Sequence, residues 1–350
     1  MEDIRGSDRA GCPLEGRGDE IRKCVVITTI NEPTEAIHLF IRTGYDVIIV
    51  GDVRTPNSYR DLNVIFLDVD TQRRMFPTLC DLLPYNHYCR KNLGYLYAIL
   101  NGYNVIAESD DDTYPSADWR FFESLDQDRI KMITGTEFPN VFRLFTDKDI
   151  YPRGYPLDEI KKENGITLRD NCKTVKVIQT TIDNEPDVDA LTRLLNRDYL
   201  TTFDKDRESC YTFDKNVWTQ INTQNTIFLC ADIFYLLYLP CTTTFRVCDI
   251  LRGYILQRCL FEEGSSVLFA CSTAHQDRNP HDLLRDLRDE IPLYTDTKKI
   301  LETLQGVRLA GTVDDLETIY TRLVPKYVSA RELDIVREFV KIYRGRGRSG

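Results

Sequence analysis

Three consecutive aspartates, Asp110, Asp111 and Asp112, follow a short apolar run and are the residues best suited to hold a metal ion. Carboxylates this close repel one another, and a divalent cation relieves that repulsion. Oxygen ligands suit Mg²⁺ or Mn²⁺, and two of the three side chains can reach one ion while leaving positions for diphosphate oxygens. Such an ion offsets the charge that grows on a departing nucleoside diphosphate. The alternative is a solvated turn that caps a helix starting near Pro115.

A repeated pattern places a second carboxylate near the triplet. Residues 41–52 (IRTGYDVIIVGD) and 99–110 (ILNGYNVIAESD) share a helix end, a Gly-Tyr pair, a Val-Ile strand and an acid. Gly44 and Gly102 fit the left-handed position that closes a helix, and Asp52 and Asp110 each follow eight residues later. We therefore expect both carboxylates at the carboxyl edge of one sheet, where α/β proteins bind ligands.

The loop after the first apolar run is the candidate nucleoside site. It contains Thr28, Thr29, Ile30 and Asn31. Asp52, at the end of the next strand, is suited to accept hydrogen bonds from ribose hydroxyls or from the base. The alternative for this loop is helix capping by Asn31 or Glu32, because Pro33 is a good first-turn residue.

A charged group opens the helix that leads into the strand before the triplet. It consists of Arg90, Lys91 and Asn92. Cations at this place can bind a diphosphate or a base. A solvated charged turn is the alternative, since runs of charge usually face water.

Alternating strands and helices must position these residues. Apolar runs that predict strands cover Val25 to Ile30, Val47 to Val50, Val64 to Leu67, Asn104 to Ala107 and Met132 to Thr134. Helical spacing covers Glu35 to Thr43, Lys91 to Asn101, Ile250 to Phe261, Pro280 to Glu290 and Arg331 to Tyr343, and a further strand is predicted at Val267 to Ala270. This order predicts an α/β fold with a mostly parallel, doubly wound sheet.

Composition excludes several classes of protein. The net charge is −10, and the one basic cluster lies in the last seven residues, so nucleic acid is not an expected partner. No apolar run reaches the roughly 20 residues of a membrane span, and residues 1–16 lack the apolar core of a signal peptide, so we expect a cytoplasmic protein. Eleven cysteines contain no CxxC pair and lie mostly in apolar runs, which predicts buried free thiols.

Collinear motifs resemble a known family. They are VVITTINEPTEAI, YNHYCRKNLGYLYAILNG, SDDDT, YPRGYPL, EPDVDALTRLL, TQNTIF and CDILRGYILQRCLFE, and they span roughly residues 24 to 275. The sequence resembles the STELLO-type glycosyltransferases and, more distantly, the reversibly glycosylated polypeptides, which are UDP-arabinopyranose mutases. The resemblance implies a GT-A-like (Rossmann-like) domain that uses a nucleotide sugar, in particular a UDP-sugar, with Mn²⁺ or Mg²⁺.

The resemblance also implies roles for individual residues. Its DxD position corresponds to Asp110 and Asp112, and His275 resembles the histidine that completes the metal site in many GT-A enzymes. Asp249 resembles an acid that contacts the acceptor and serves as general base. Acceptor or sugar contacts are implied for Asp187, Asp189, Arg193 and Arg252. The structural alternatives are a helix N-cap at Asp249, a surface histidine at 275, and salt bridging around Asp187, Asp189 and Arg193.

These expectations divide the chain into four parts. Residues 1–22 are a flexible leader, 23–290 the GT-A-like domain, 291–343 a helical segment and 344–350 a basic tail. Within the domain, residues 23–137 are expected to bind the nucleotide sugar and 138–290 the acceptor.

The predicted activity is metal-dependent transfer of a sugar from a nucleotide sugar to a glycan or protein acceptor that the sequence does not identify. Two alternatives stay open. One is a nucleotide-sugar mutase that glycosylates itself, and the other is a catalytically silent GT-A scaffold protein.

Overall fold

The computed structural model describes residues 21–162, 165–207 and 210–346, so all but the last two residues of the expected leader and residues 347–350 of the expected tail lie outside the described residues. Arg344, the first residue of the expected tail, is the last residue of a helix. The strands are β1 Lys23–Thr29, β2 Asp46–Gly51, β3 Ile65–Leu67, β4 Val105–Ser109, β5 Thr113–Pro115, β6 Ile130–Thr134, β7 Thr167–Asp170, β8 Thr174–Thr180, β9 Asp183–Asn184, β10 Cys210–Phe213, β11 Asn225–Phe228, β12 Ser265–Ala270 and β13 Ala274–Gln276. The helices are α1 Glu35–Arg42, α2 Val69–Met75, α3 Pro77–Leu82, α4 Lys91–Leu100, α5 Ala190–Leu195, α6 Cys248–Glu262, α7 Leu283–Gln305, α8 Asp314–Leu323 and α9 Arg331–Arg344.

Ten strands form one large sheet in the order β3-β2-β1-β4-β11-β8-β12-β10-β6-β7. The first four of these strands are parallel, as the alternation of strand and helix predicts. Beyond β4 the sheet is mixed, because β11 is antiparallel to both of its neighbours and β10 is antiparallel to β12. The α/β class is confirmed, but the expectation of a mostly parallel sheet holds only for its first half. After residue 138 the regular alternation of strand and helix is lost: helix α6 lies between β11 and β12, but no α-helix lies between β6 and β7 or between β7 and β8. Parallel pairs in this half are limited to β8 with β12 and β6 with β10.

The two repeated units flank the first strand. Since β2 and β4 pair with β1 on opposite sides, Asp52 and Asp110 follow neighbouring strand ends at one edge. Gly44 and Gly102 adopt φ values of +82° and +72°, the left-handed conformation predicted from the sequence. The predicted placement of both carboxylates at the carboxyl edge is confirmed.

The mixed half of the sheet brings further loops to the same edge. Because β11 is antiparallel to β4, residues 222–224, just before β11, lie beside the end of β4. The ends of β8 and β12 also point to this edge, and their continuations β9 and β13 form a small sheet with β5. The aspartate triplet therefore runs into strand β5, and the alternative of a helix cap near Pro115 is wrong.

The C-terminal helices pack on the α/β core. The predicted helix 280–290 is only the start of the longer α7, so the expected boundary at residue 290 falls inside a helix. Glu332 of α9 is fully buried and accepts hydrogen bonds from the backbone amides of Cys241 and Thr242, at 2.9 and 2.8 Å. Such buried, charge-assisted bonds fix α9 on the core.

Two further expectations concern the cysteines and membrane-spanning helices. All ten described cysteines are free, eight of them buried, as their apolar neighbours predict. Within residues 21–346, apart from the two short gaps, no helix combines the length and apolarity needed to cross a membrane.

Candidate functional site

A cavity of about 490 Å³ opens at the carboxyl edge of the sheet. Its walls come from loops that follow β1, β2, β4, β8 and β12, from the segment before β11 and from the start of α6. It contains, among the predicted residues, Thr28, Thr29, Ile30, Asn31, Asp52, Asp110, Asp111, Asp112, Asp187 and Asp249. The fold therefore brings residues from distant parts of the chain to one site.

Neutral donors surround two carboxylates of the triplet. Asp111 accepts hydrogen bonds from the Thr29 hydroxyl and from Nδ2 of Asn31 (2.8 Å). Asp112 accepts from Nε2 of Gln276 (3.1 Å) and from the backbone amide and Nδ2 of Asn279 (3.1 and 3.2 Å). These bonds orient the carboxylates but supply no positive charge, so the negative charge of the two groups is not compensated here.

One cation lies beside the triplet. The Lys91 ammonium is 3.5 Å from Oδ1 of Asp110, which also accepts a hydrogen bond from the Tyr88 hydroxyl. Burial nevertheless raises the pKa of Asp110 to about 6, because the attraction of Lys91 only partly offsets desolvation and Asp112 adds repulsion. Burial likewise raises the pKa of Asp111, against the hydrogen bonds that it accepts. The site has a deficit of positive charge.

The predicted nucleoside loop lies at one end of the cavity. Asp52 accepts hydrogen bonds from the backbone amides of Val53 and Asn86, both at 2.7 Å. Helix α1 is capped by Thr34, whose hydroxyl accepts from the amide of Ile37 at 3.4 Å. Capping by Asn31 or Glu32 is thus wrong, and Asn31 serves the triplet instead.

The group Arg90, Lys91 and Asn92 does not line the cavity and is not a solvated turn either, because all three residues are fully buried. Arg90 packs on the ring of Tyr85 and lies 4.0 Å from Asp52. Lys91 donates to the carbonyl of Ser109 at 2.6 Å, and Asn92 bonds both backbone groups of Leu239. These side chains support the cavity from beneath, which corrects the expectation of direct ligand contact.

Arg153 organises the other end of the cavity. Its Nε and one terminal nitrogen bind the two oxygens of Asp187 (2.9 and 3.0 Å), and its terminal nitrogens bind those of Asp249 (3.0 and 2.6 Å). Burial alone would raise the pKa of Asp187, but the guanidiniums of Arg153 and Arg246 hold it well below its usual range. Asp249 is a partner of Arg153 rather than a helix N-cap.

The backbone at Arg153 depends on a glycine. Gly154 has φ +90°, and a Cβ atom there would lie 2.6 Å from Cγ2 of Ile250 in α6. Only glycine allows this loop to approach the helix that carries Asp249. In the motif YPRGYPL, Gly154 therefore allows the loop to pack on α6, and Arg153 forms the ion pairs at this end of the cavity.

Two more arginines line this end. Nε of Arg246 donates to Glu290 at 2.8 Å. The guanidinium of Arg278 is 4.0 Å from Asp286, whose carboxylate binds His281 at 2.9 Å. Burial, together with the neighbouring guanidiniums of Arg193 and Arg246, lowers the pKa of Arg278 to about 10. We call Arg153, Arg246 and Arg278 the basic end, and Asp110, Asp111 and Asp112 the acidic end.

Besides Arg90, Lys91 and Asn92, four predicted residues lie outside the cavity. Arg193 binds Glu185 (2.5 Å), so the alternative of a salt bridge is correct for Arg193. Asp189 instead caps α5 by accepting from the amide of Thr192 (2.8 Å), a structural role not predicted from the sequence. Arg252 is buried against Glu108 at 2.5 Å. His275 is exposed and stacks on Tyr114, with ring centroids 4.9 Å apart. Because side chains alternate along β13, Gln276 faces Asp112 and His275 faces away, which corrects its expected place in the metal site.

Sequence reasoning missed all three arginines of the basic end and the amides of Gln276 and Asn279 that orient Asp112. The missed residues are Tyr88, Arg153, Asn222, Arg246, Gln276, Arg278, Asn279 and His281. Arg153 stands in a motif already singled out, and an arginine between turn-forming Pro and Gly was a usable signal. The others carry no local pattern.

The donor set of the triplet fits Mg²⁺ or Mn²⁺ in kind, because it offers carboxylate oxygens only. Within the described residues, no group of three or more His, Cys, Asp or Glu side chains is arranged to hold a metal ion. The triplet therefore provides part of a coordination shell, and further oxygens would have to come from a ligand.

Comparison with known proteins gives this arrangement a context. Residues 246–337 match the family model of the STELLO glycosyltransferases. Over this segment the chain is similar to the STELLO-type family. It is 29% identical over 277 residues to the probable glycosyltransferase STELLO1 of Arabidopsis thaliana, and 28% identical over 274 residues to STELLO2 of the same plant.

These alignments cover 73% of this chain in both cases, but only 36% of STELLO1 and 35% of STELLO2. The chain thus spans about a third of the length of the curated relatives it matches. The segment that matches the STELLO model contributes Arg246, Asp249 and Arg278 to the cavity. The similarity to the family model therefore covers two of the three arginines of the basic end, and Arg153 lies outside the matched segment.

Proposed function

We propose that this protein is a GT-A-like glycosyltransferase that moves a sugar from a nucleotide sugar, in particular a UDP-sugar, to a glycan or protein acceptor. The observation that carries the proposal is the charge deficit at the acidic end, three carboxylates with one ammonium at 3.5 Å beside them. A ligand that brings a divalent cation removes this deficit. Similarity to the STELLO glycosyltransferases supports the transfer of a glycosyl group.

The nucleotide lies along the parallel half of the sheet in this proposal. Asp52 and the loop Thr28, Thr29, Ile30 and Asn31 hold the nucleoside, as loops at the carboxyl edge of parallel strands commonly do. Asp110 and Asp112 hold Mn²⁺ or Mg²⁺ together with diphosphate oxygens, and Asp111 shapes the loop through Thr29 and Asn31. When bound, the ion stabilises the negative charge of the leaving diphosphate.

Asp249 acts on the acceptor. During transfer, the bond between the anomeric carbon and the diphosphate oxygen breaks, its electron pair leaves with the nucleoside diphosphate, and the acceptor oxygen bonds to the anomeric carbon. The hydroxyl proton of the acceptor passes to Asp249, which the bidentate contact with Arg153 holds in place. Oδ2 of Asp249 has one hydrogen-bond donor, so a lone pair stays free for that hydroxyl.

A donor screen tests the proposal. The chain is incubated with radiolabelled UDP-glucose, UDP-galactose, UDP-N-acetylglucosamine and UDP-arabinopyranose with Mn²⁺, and release of UDP is measured. We expect turnover of at least one donor, and its loss in Asp112→Ala, with Asp277→Ala as a matched control because Asp277 is exposed and outside the cavity.

The same screen separates the alternatives. Radiolabel that stays on the protein itself identifies a self-glycosylating mutase. Radiolabel in a free sugar, formed by transfer to water, or on an added acceptor identifies a transferase. Full turnover by Asp112→Ala would contradict the assignment of Asp112 as a metal ligand. Absence of both turnover and donor-dependent thermal stabilisation would identify a silent scaffold, because a ligand that binds the native state must stabilise it.

A further inference from the structure

Arg278 is a buried guanidinium without a hydrogen-bonded partner among the described residues. Its side chain is only 9% exposed, and it lines the cavity. Its Nε is buried and unbonded, and its nearest carboxylate, that of Asp286, is 4.0 Å away and occupied by His281. A charge removed from water without a partner is costly, so its retention needs an explanation.

The arginines around it differ in this respect. Arg153 binds two carboxylates, Arg246 binds Glu290 at 2.8 Å, and Arg193 binds Glu185 at 2.5 Å. Three guanidiniums are thus neutralised by hydrogen-bonded acids of the chain itself. Arg278 is the member of the group whose donors stay available to something in the cavity.

We infer that Arg278 binds an acidic group, a carboxylate or a phosphate, on the transferred sugar or on the acceptor. A guanidinium presents parallel N–H donors that match the paired oxygens of either group. The inference rests on the proposed function and deepens it, because it assigns a chemical class to a substrate of the same site.

The position of Arg278 distinguishes this group from the diphosphate of the donor. The charges that act most strongly on Arg278 are those of Arg193, Arg246, Asp187 and Arg153, all of which lie at or behind the basic end. The diphosphate, in the proposed arrangement, lies at the acidic end with the metal ion. We therefore assign the acidic group at Arg278 to the part of the substrate beyond the diphosphate, although the next residue, Asn279, donates its backbone amide to Asp112 at 3.1 Å. The UDP affinity of Arg278→Gln decides between this group and the diphosphate itself.

Calorimetric titration of the full chain tests the inference with pairs of probes that differ in charge. One arm compares UDP-glucuronate with UDP-glucose in the presence of Mn²⁺, for an acidic sugar on the donor. The other compares glucuronate and glucose 6-phosphate with glucose, with and without UDP and Mn²⁺, for an acidic acceptor. The variants are Arg278→Gln and, as a matched loss of charge, Arg285→Gln, whose side chain is 77% exposed on α7.

We expect at least one acidic probe to bind about tenfold or more tightly than its neutral counterpart, the usual scale of a charged hydrogen bond. Arg278→Gln should abolish this preference and change UDP affinity by less than about twofold, and Arg285→Gln should preserve the preference. Equal binding of acidic and neutral probes in both arms overturns the inference. An equal weakening of UDP and of every probe by Arg278→Gln also overturns it, because Arg278 would then contact the diphosphate.

Two controls separate this inference from other failures. If UDP with Mn²⁺ does not bind, the proposed function fails for that nucleotide, while the free sugars still decide the acidic subsite. Arg278→Gln should fold with a melting temperature no lower than that of the wild type, since no hydrogen bond is lost. A clearly lower melting temperature would assign Arg278 a structural role and contradict the inference.

Discussion

The acidic end and the basic end of the cavity hold charge in opposite ways. At the acidic end, Asp111 and Asp112 are surrounded by neutral donors, and Lys91 is a single cation at 3.5 Å from Asp110. At the basic end, Arg153 is held by two carboxylates at 2.6 to 3.0 Å. One end is incomplete without a ligand, whereas the other is largely neutralised by its own residues.

This difference indicates what each end is built for. Preorganised carboxylates without counter-charges cost stability in the free protein but bind a cation strongly when it arrives. A closed network of ion pairs contributes shape and rigidity and leaves single groups free for recognition. The comparison predicts opposite stability effects for substitutions at the two ends.

The largest effect is expected at the basic end. Arg153→Met should lower the free energy of unfolding by about 3 to 5 kcal/mol, because it removes the guanidinium that pairs with the buried carboxylates of Asp187 and Asp249. Guanidinium denaturation measures the change. Arg285→Met, on the exposed face of α7, is the control and should change stability by less than about 0.5 kcal/mol.

Removal of a charge at the acidic end should instead raise the free energy of unfolding. Burial raises the pKa of Asp110 to about 6, so the folded state disfavours its charge and loses stability as pH rises from about 4 to above 6. Asp110→Asn should therefore stabilise the free protein at pH 7, by at most about 3 kcal/mol, and by roughly half as much at pH 5.

Denaturation at both pH values measures this, with Asp277→Asn as the exposed control. A destabilised Asp110→Asn protein at pH 7 would remove the distinction between the two ends.

A smaller effect is expected from the glycine beside Arg153. Gly154→Ala should cost about 1 to 3 kcal/mol, since φ is +90° and the new methyl group would meet Ile250. It should weaken acceptor use more than UDP binding, because it displaces the basic end alone. Comparison of KM for acceptor and donor checks this, and equal changes in both would contradict it.

The smallest effect is expected at His275. His275→Ala removes only a stacked, exposed ring and should change Mn²⁺ and UDP affinity by less than about twofold. Titration calorimetry measures both affinities. A tenfold loss of Mn²⁺ affinity would restore the ligand role that family resemblance implied.

The parallel half of the fold and the acidic end were predictable from the sequence. Helix-closing glycines at 44 and 102 and the apolar strands after them are local signals, and they placed Asp52 and Asp110 correctly. The predicted boundaries of β2 and of α1 are within about one residue of those observed.

The basic end was not predictable in this way. It depends on a mixed sheet and on contacts between residues about 35 to 100 positions apart, such as Arg153 with Asp187 and Asp249. Family resemblance implied substrate contacts for Asp187, Asp189 and Arg193 together. In the structure Asp189 caps helix α5 and Arg193 forms an ion pair with Glu185, both outside the cavity. Whether a charged side chain faces a cavity or a buried partner is decided by tertiary packing.

The most direct test of the account is the coupling between Mn²⁺ and UDP, measured by titration calorimetry of each in the absence and presence of the other. Because the triplet offers only part of a coordination shell, each should bind at least about tenfold more tightly when the other is present, and by the same factor. Asp110→Asn and Asp112→Asn should abolish this coupling, while Asp277→Asn should preserve it. Tight UDP binding that is independent of Mn²⁺ would contradict the account.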